Sequence, residues 1–408
     1  MVRVAQACRR EFSILPILHG NRELYCGATR ILPKWRTRDL RGQKSCPSGY
    51  QPISRHGKVK IMAFKVYATT SQRLEPGQIA AHALRAESLG YDGLNIPEAV
   101  HDGFIGATLA LASTTRIRVA TSVALAFPRS PMTTAIAAWD LATLSGSRFE
   151  LGLGSQIKAN IEGRYATPWT APVPRMREYV AALRAIFRAF QSGEPLKFSG
   201  EHYRFKRLQP FFRPEPLADF ALPIHLGGVA TRMTELAGEV ADGLVTHPTN
   251  TAPRYLREVM RPRLESGASR VGRDLKSFRL IVGCRVATGR TEADVAQERE
   301  NARQSLAFLY STPAYWSSLE IFGWESRGPA LRELTREQQW SRMSELVDDD
   351  MLDAFVPSAT YDNIVDVLND WYGGLTETIT FPMPENDRED DEFRQVVAAL
   401  QSGSQHNA

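Results

Sequence analysis

From residue 64 onward the chain repeats one phrase: a short apolar run of strand character, then a stretch of helical periodicity. That alternation constrains the fold more than any other feature. A helix between two strands returns the chain to the edge it left, so the strands pair in parallel and helices cover the sheet. The runs 64–69, 91–97, 117–125, 148–154, 222–226, 243–246, 277–287 and 377–382 read as eight strands. Eight such units over about 340 residues predict an α/β fold of the (β/α)8 TIM barrel type. The alternative is a doubly wound α/β sheet, whose usual GxGxxG fingerprint is missing after the first strand.

Within this frame the helices are legible to different degrees. Over 175–191, Met176, Tyr179, Val180, Leu183, Ile186, Phe187 and Phe190 fall on one stripe, with arginines outside it, the mark of a core-facing helix. The segment 196–205 reads as a hairpin, and 252–266, 360–372 and 390–400 read as helices. Residues 155–174 carry three prolines and no periodicity. A loop of that length inside a compact domain is usually a lid or binding loop. Residues 291–347 are polar and mostly helical and read as a helical insertion near the C-terminal third of a barrel domain spanning 62–408.

Charge separates the two ends of the chain. Residues 1–60 hold 13 Lys/Arg and 3 Asp/Glu, whereas the remainder holds 37 and 42. A mildly acidic body argues against nucleic-acid binding. The basic segment 1–61 is expected to be an unstructured extension, with the natural start at Met62. Its CRREFSILPIL string pairs two arginines with an apolar stretch too short, and too soon broken by Pro16, for an export signal. Three of the four cysteines lie in this segment, leaving Cys284 alone in the body. That usage suits a reducing cytoplasm. No apolar run reaches the length of a membrane helix, so no membrane partner is expected. No cluster has metal-ligand spacing.

In a barrel, chemistry sits where the strands exit. After the second strand, IPEAVHD offers Glu98 and His101 as acid/base groups, with Asp102 beside them. The third strand carries a polar Ser122 in an apolar run. The fourth exits through Gly152 and Gly154 into Ser155 and Gln156. The fifth exits through Gly227 and Gly228 into a helix that contains Thr231 and Arg232. Glycine there lets a ligand approach the backbone, and a helix beginning there offers unpaired N–H groups to a phosphate. His225, inside the fifth strand, reads as a satisfied core residue, and His247 sits at the rim after the sixth.

The string TSVALAFPRSPMTTAIAAWDLATLSGSRFELGLGSQ resembles the luciferase-like monooxygenase superfamily, and is most similar to its branch of coenzyme F420-dependent oxidoreductases. The later MTELAGEVADGLVTHP string fits the same family. The resemblance covers about 64–400 and leaves out residues 1–60. It implies a TIM barrel with an insertion and a deazaflavin held at the strand exits. It also implies a bulge with a non-proline cis peptide behind the ring, at Ser122, Val123 and Ala124. Gly154, Ser155 and Gln156 would line the ring. Gly227, Gly228, Val229, Thr231 and Arg232 would hold the cofactor phosphate, with His247 at the rim. Many members follow the acid after the second strand directly with histidine. Here Ala99 and Val100 intervene before His101, so the proton role of that histidine does not transfer directly.

The resemblance implies a hydride passed between a small organic substrate and F420, with Glu98 or His101 trading the accompanying proton. Two alternatives stand beside it: an FMN-dependent monooxygenase of the same superfamily, and a barrel that binds flavin or deazaflavin without turnover. Dimers are common in the family, so a homodimer is the oligomer it suggests.

Overall fold

The computed structural model describes residues 63–403. The basic segment, with the expected start at Met62, lies outside the described residues. Eight strands form the barrel: β1 (Lys65–Thr69), β2 (Gly93–Ile96), β3 (Arg118–Thr121), β4 (Phe149–Gly154), β5 (Ile224–Gly227), β6 (Gly243–Val245), β7 (Arg279–Val282) and β8 (Thr378–Thr380). Each pairs in parallel with the next, and β8 pairs with β1, Lys65 opposite Thr378. The ring therefore closes, which excludes the doubly wound alternative, since an open sheet keeps two edges.

Eight helices cover the ring: α1 (Pro76–Ser88), α2 (Gly103–Ser113), α3 (Pro131–Ser145), α4 (Pro172–Ser192), α5 (Thr231–Val240), α6 (Arg261–Arg270), α7 (Ile364–Tyr372) and α8 (Asp390–Ser402). The bounds of α3 follow from local chemistry. The Ser130 side chain accepts from the Thr133 amide, Pro131 opens the first turn, and Gly146 ends the helix at φ 60°. Proline there loses no hydrogen bond, and glycine takes the left-handed cap without strain. The apolar stripe of α4 is buried as its periodicity predicts. It packs on Trp139 of α3, whose ring lies 6.0 Å from Phe187 and 5.3 Å from Phe190. Each such side chain contributes about 2 kcal/mol on leaving water.

The apolar run 277–287 holds two strands rather than one. The barrel strand ends at Val282, and Ala287–Gly289 then pairs in parallel with Ser358–Thr360 outside the ring. Between these paired strands lies the excursion read as the insertion. It contains Glu292–Tyr310, Arg327–Arg336 and Asp349–Phe355 as its longer helices. The segment 155–174 is less irregular than its prolines suggest, with a short helix at Lys158–Gly163, and α4 begins at Pro172. Within 252–266, the stretch Leu256–Met260 is a wider π turn. Among the described residues no helix is long and apolar enough to cross a membrane.

Candidate active site at the carboxyl ends of the strands

β3 stops at Thr121, and a two-residue strand, Ala124–Leu125, resumes the pairing with β4. Between them the Ser122–Val123 peptide is cis, at the position where the resemblance places such a bond. The resulting bulge is fixed from several sides. The Ser122 amide donates to Ile96 O at 2.8 Å and the Ala126 amide to Gly154 O at 2.9 Å. Thr121 Oγ1 takes the Gly152 amide at 3.0 Å and donates to Gly152 O at 2.9 Å.

The bulge explains two of the strand-exit glycines. A Cβ on Gly154 would stand 2.6 Å from Val123 Cγ2, and one on Gly227 3.2 Å from Val123 Cγ1. Val123 thus presses on the exits of β4 and β5 together. Gly152 is tighter still, since its Cβ would meet Thr121 O at 2.0 Å.

Beyond β5, the two glycines differ. The side-chain direction of Gly228 points at Leu244 Cδ1, 2.5 Å away, and at Thr234 of α5. Its amide donates to Val245 O at 3.3 Å, and its carbonyl accepts from Asn250 Nδ2 at 2.9 Å. Gly228 is therefore a strand-to-helix packing position. Donors without a protein acceptor begin one residue later, with the amides of Val229, Ala230, Thr231 and Arg232. The N-cap of α5 is Ala230, which has no side chain to accept from them. Thr231 Oγ1 and the Arg232 guanidinium also lack a partner among the described residues. The arrangement gathers donors at the positive end of a ten-residue helix, which suits an anion.

Glu98 is committed elsewhere. Its Oε2 accepts from the Leu125 amide at 2.9 Å, and both oxygens take Arg129 Nη1, at 2.8 and 2.9 Å. Arg129 Nη2 also reaches Asp102 at 2.6 Å, and Asp102 caps α2 through the Phe104 and Ile105 amides. The Glu98 side chain is only 6% exposed. A carboxylate so saturated holds the segment after the bulge to the exit of β2. His101 turns a different way, with Nε2 3.9 Å from Glu75 near the start of α1 and no hydrogen-bond partner. The two residues singled out for proton transfer thus have separate surroundings.

His247 opens a short 3-10 turn, Pro248–Asn250. Its amide donates to Asn250 Oδ1 at 2.8 Å, and its Nδ1 lies 2.9 Å from Thr249 Oγ1. Its ring stacks on Tyr315 of the insertion at 4.4 Å. Burial pushes its pKa down to about 4, helped by the neighbouring Arg285, so it is neutral near pH 7. Asn250 links this turn to Gly228, which ties the rim of β6 to that of β5. Cys284, just past β7, donates to Thr380 O at 3.3 Å, and burial pushes its thiol up to about 12, which leaves it unreactive. The loop after β4 folds back over the site: Arg164 Nη2 donates to Ala99 O at 2.5 Å, and Trp169 packs edge-on to Phe127 at 6.0 Å. Ser155 is half-buried at this rim, and Gln156 adopts φ 58° with Oε1 accepting from the Ile157 amide.

The model of one family, described as luciferase-like monooxygenase, matches residues 60–378. The chain belongs to this family. Its relatives include uncharacterized protein Rv1360 of Mycobacterium tuberculosis, 42% identical over 307 residues, 74% of this chain and 90% of that protein. A second is the 5,10-methylenetetrahydromethanopterin reductase of Archaeoglobus fulgidus, 27% identical over 72% of this chain and 86% of that one. Among solved structures, the coenzyme F420 dependent tetrahydromethanopterin reductase from Methanopyrus kandleri superposes with a TM-score of 0.68 at 20% identity, covering 82% of this chain and 97% of that one. The last shows a shared fold.

In this luciferase-like chain, the bulge at Val123, the glycines Gly154 and Gly227, and the amides from Val229 on converge at one end of the ring. Arg129 was not foreseen, although its place in FPRSP, directly after the third strand, was the available signal. Tyr315 was also missed, because nothing local marks a side chain of the insertion as a neighbour of His247.

Proposed function

We propose that this barrel is an oxidoreductase that binds the deazaflavin coenzyme F420 at its carboxyl-terminal mouth and exchanges a hydride with a small organic substrate. The observation that carries the reading is the start of α5. Four consecutive amides there lack acceptors, no side chain caps them, and they sit behind the glycine exit that Val123 touches. A phosphate matches that donor set, with Thr231 and Arg232 as side-chain partners.

The deazaflavin supplies hydride chemistry; the chain supplies place, orientation and dryness. Val123 and the Ser122–Ala124 bulge would back the ring, and Gly154, Ser155 and Gln156 would flank it. Glu98 is a positioning residue, holding the Leu125 amide and Arg129 so that the bulge keeps its shape. His247, neutral at ordinary pH, would donate to the ring edge or accept from it without adding charge. His101, whose Nε2 has no hydrogen-bond partner among the described residues, is the other acid/base candidate on the β2 loop. Residues 155–171 and Tyr315 would exclude water. The two methanopterin reductases among the similar proteins favour a small organic substrate that is reduced. A reducing cytoplasm suits a body whose one cysteine is a buried thiol.

The family's name for monooxygenases favours one second reading, FMN in the same seat with oxygen as co-substrate. Fluorescence titration with F420 and with FMN separates the two. Saturable binding of F420 alone, lost on Thr231→Ala/Arg232→Ala, is the expected result. Binding of FMN with NADH-dependent oxygen uptake selects the second reading, and no binding of either removes both.

A further inference from the structure

The opposite end of the barrel has no role in that proposal, yet it is the more unusual chemically. Glu150, on β4, is fully buried inside the ring. All its hydrogen bonds fall on one oxygen. Oε1 accepts from Arg118 Nε at 2.5 Å, Arg279 Nη1 at 2.6 Å and Tyr67 OH at 3.3 Å. Oε2 accepts none, and His225 Nδ1 lies 3.9 Å from it. His225 is itself fully buried, and neither ring nitrogen has a partner. The expectation of a satisfied core histidine is therefore overturned. Buried polar atoms are normally paired, and leaving them bare is costly.

His225 forms part of the wall of a cavity of about 450 Å3 that opens between the amino ends of β3, β5, β6 and β7. Four guanidiniums line it: Arg118, Arg184, Arg188 and Arg279. Against them stand Asp242, which pairs with Arg184 at 3.0 Å, and Glu150 behind. Positive charge is in excess. Arg188 has no protein partner among the described residues and is exposed. The remaining wall includes the half-exposed ring of Phe220, with Phe187 buried behind it, edge-on at 6.5 Å.

We propose that this cavity is a second ligand site, taking a small aromatic anion, with its phosphate or carboxylate among the arginines and its ring against Phe220. The parts are complementary to such a molecule. Arginine forks match an oxyanion in two-pronged geometry. Phe220, half-exposed, offers an open ring for aromatic stacking. Because the lining comes from β3, α4, β5 and β7, a bound anion would bridge elements from opposite sides of the ring and stabilise the folded state by mass action. The inference does not depend on the cofactor reading, since the two sites lie at opposite ends of the strands.

Phenyl phosphate is the probe, titrated calorimetrically into the full chain, with inorganic phosphate beside it. The expected result is saturable binding that persists in Thr231→Ala/Arg232→Ala, tighter for phenyl phosphate than for inorganic phosphate, with a rise in melting temperature. Arg188→Ala should weaken binding roughly tenfold, the size of a lost charge-assisted contact, and it should leave the fold intact because the exposed Arg188 guanidinium has no partner among the described residues while its backbone bond to Ser192 is kept. Phe220→Ala should erase the preference for phenyl phosphate. Absence of saturable heat overturns the proposal. Equal affinity in wild type and Arg188→Ala overturns it as well, as does binding that is lost in Thr231→Ala/Arg232→Ala, which would place the probe at the other end.

Discussion

The two ends of the barrel handle charge in opposite ways. At the amino ends of the strands, a buried carboxylate is met by two guanidiniums and a phenol, and the whole cluster is built from side chains. At the carboxyl ends, Glu98 is tied up in holding a loop, and the groups left open at the start of α5 among the described residues are mostly backbone amides, with Thr231 and Arg232 beside them. Side-chain charge gives strength and acid sensitivity. Backbone donors give a fixed, uncharged cradle that works over a broad pH range. If this contrast holds, stability should depend on one end and cofactor affinity on the other.

The sharpest way to break the comparison is Glu150→Leu. It leaves Arg118 and Arg279 facing a buried position without a counter-charge, and should cost about 4 kcal/mol in urea unfolding. A loss under about 1 kcal/mol would mean the cluster is not a stability element. The acid limb comes next. Burial works against the Glu150 charge, but His225, Arg279 and Arg118 hold its pKa at about 2, below the ordinary 4.5. The folded pKa is depressed, so this stability is present above about 4.5 and is lost as pH falls toward 2, by about 3 kcal/mol in all. Denaturant midpoints measured across that window should fall in the wild type and flatten in Glu150→Gln.

Arg129→Met sharpens the contrast from the other end. It strips Glu98 of its cation, and should cost about 2 kcal/mol of stability while loosening the bulge. Cofactor affinity should fall with it, and a stability loss with unchanged affinity would detach Glu98 from the site. Arg232→Ala should leave stability within about 0.5 kcal/mol yet weaken the cofactor by about 1 kcal/mol, roughly fivefold. The smallest expected effect concerns His247, whose pKa lies at about 4. Its folded form disfavours the proton, so the stability it contributes is full above about 6.5 and declines as pH drops toward 4. Cofactor affinity should be flat from about pH 6 to 8, and a titration step near 6.5 would show His247 carrying charge in the site.

Much of the barrel was legible because strand and helix periods differ and alternate along the chain. Gly154 and Gly227 were findable as glycines at strand exits. The reason each is glycine was not, since it lies in Val123, which touches both only after the bulge forms. Gly228 shows the same limit from the other side: its sequence context suggested ligand approach, and its space is filled by Leu244 and Thr234. The Glu150 cluster joins Tyr67, Arg118, Glu150, His225 and Arg279, residues far apart in the chain that only closure of the ring brings together. Spacing along a sequence carries no trace of such a meeting. The run 277–287 misled for a related reason: apolar continuity does not reveal where one sheet ends and another begins.

The short pairing of Ala287–Gly289 with Ser358–Thr360 has a consequence for how such an enzyme changes over time. The excursion leaves the ring and returns to it through a single doorway, its jambs laced by main-chain bonds that include the Tyr361 amide to Gly289 O at 3.0 Å. What lies between is also anchored elsewhere, since Tyr310 OH donates to Thr249 O at 2.9 Å in the turn after β6. Tyr315 reaches His247 from within that stretch, and Asn250 of the same turn holds Gly228 O, so a change in the excursion would be felt at the start of α5 as well.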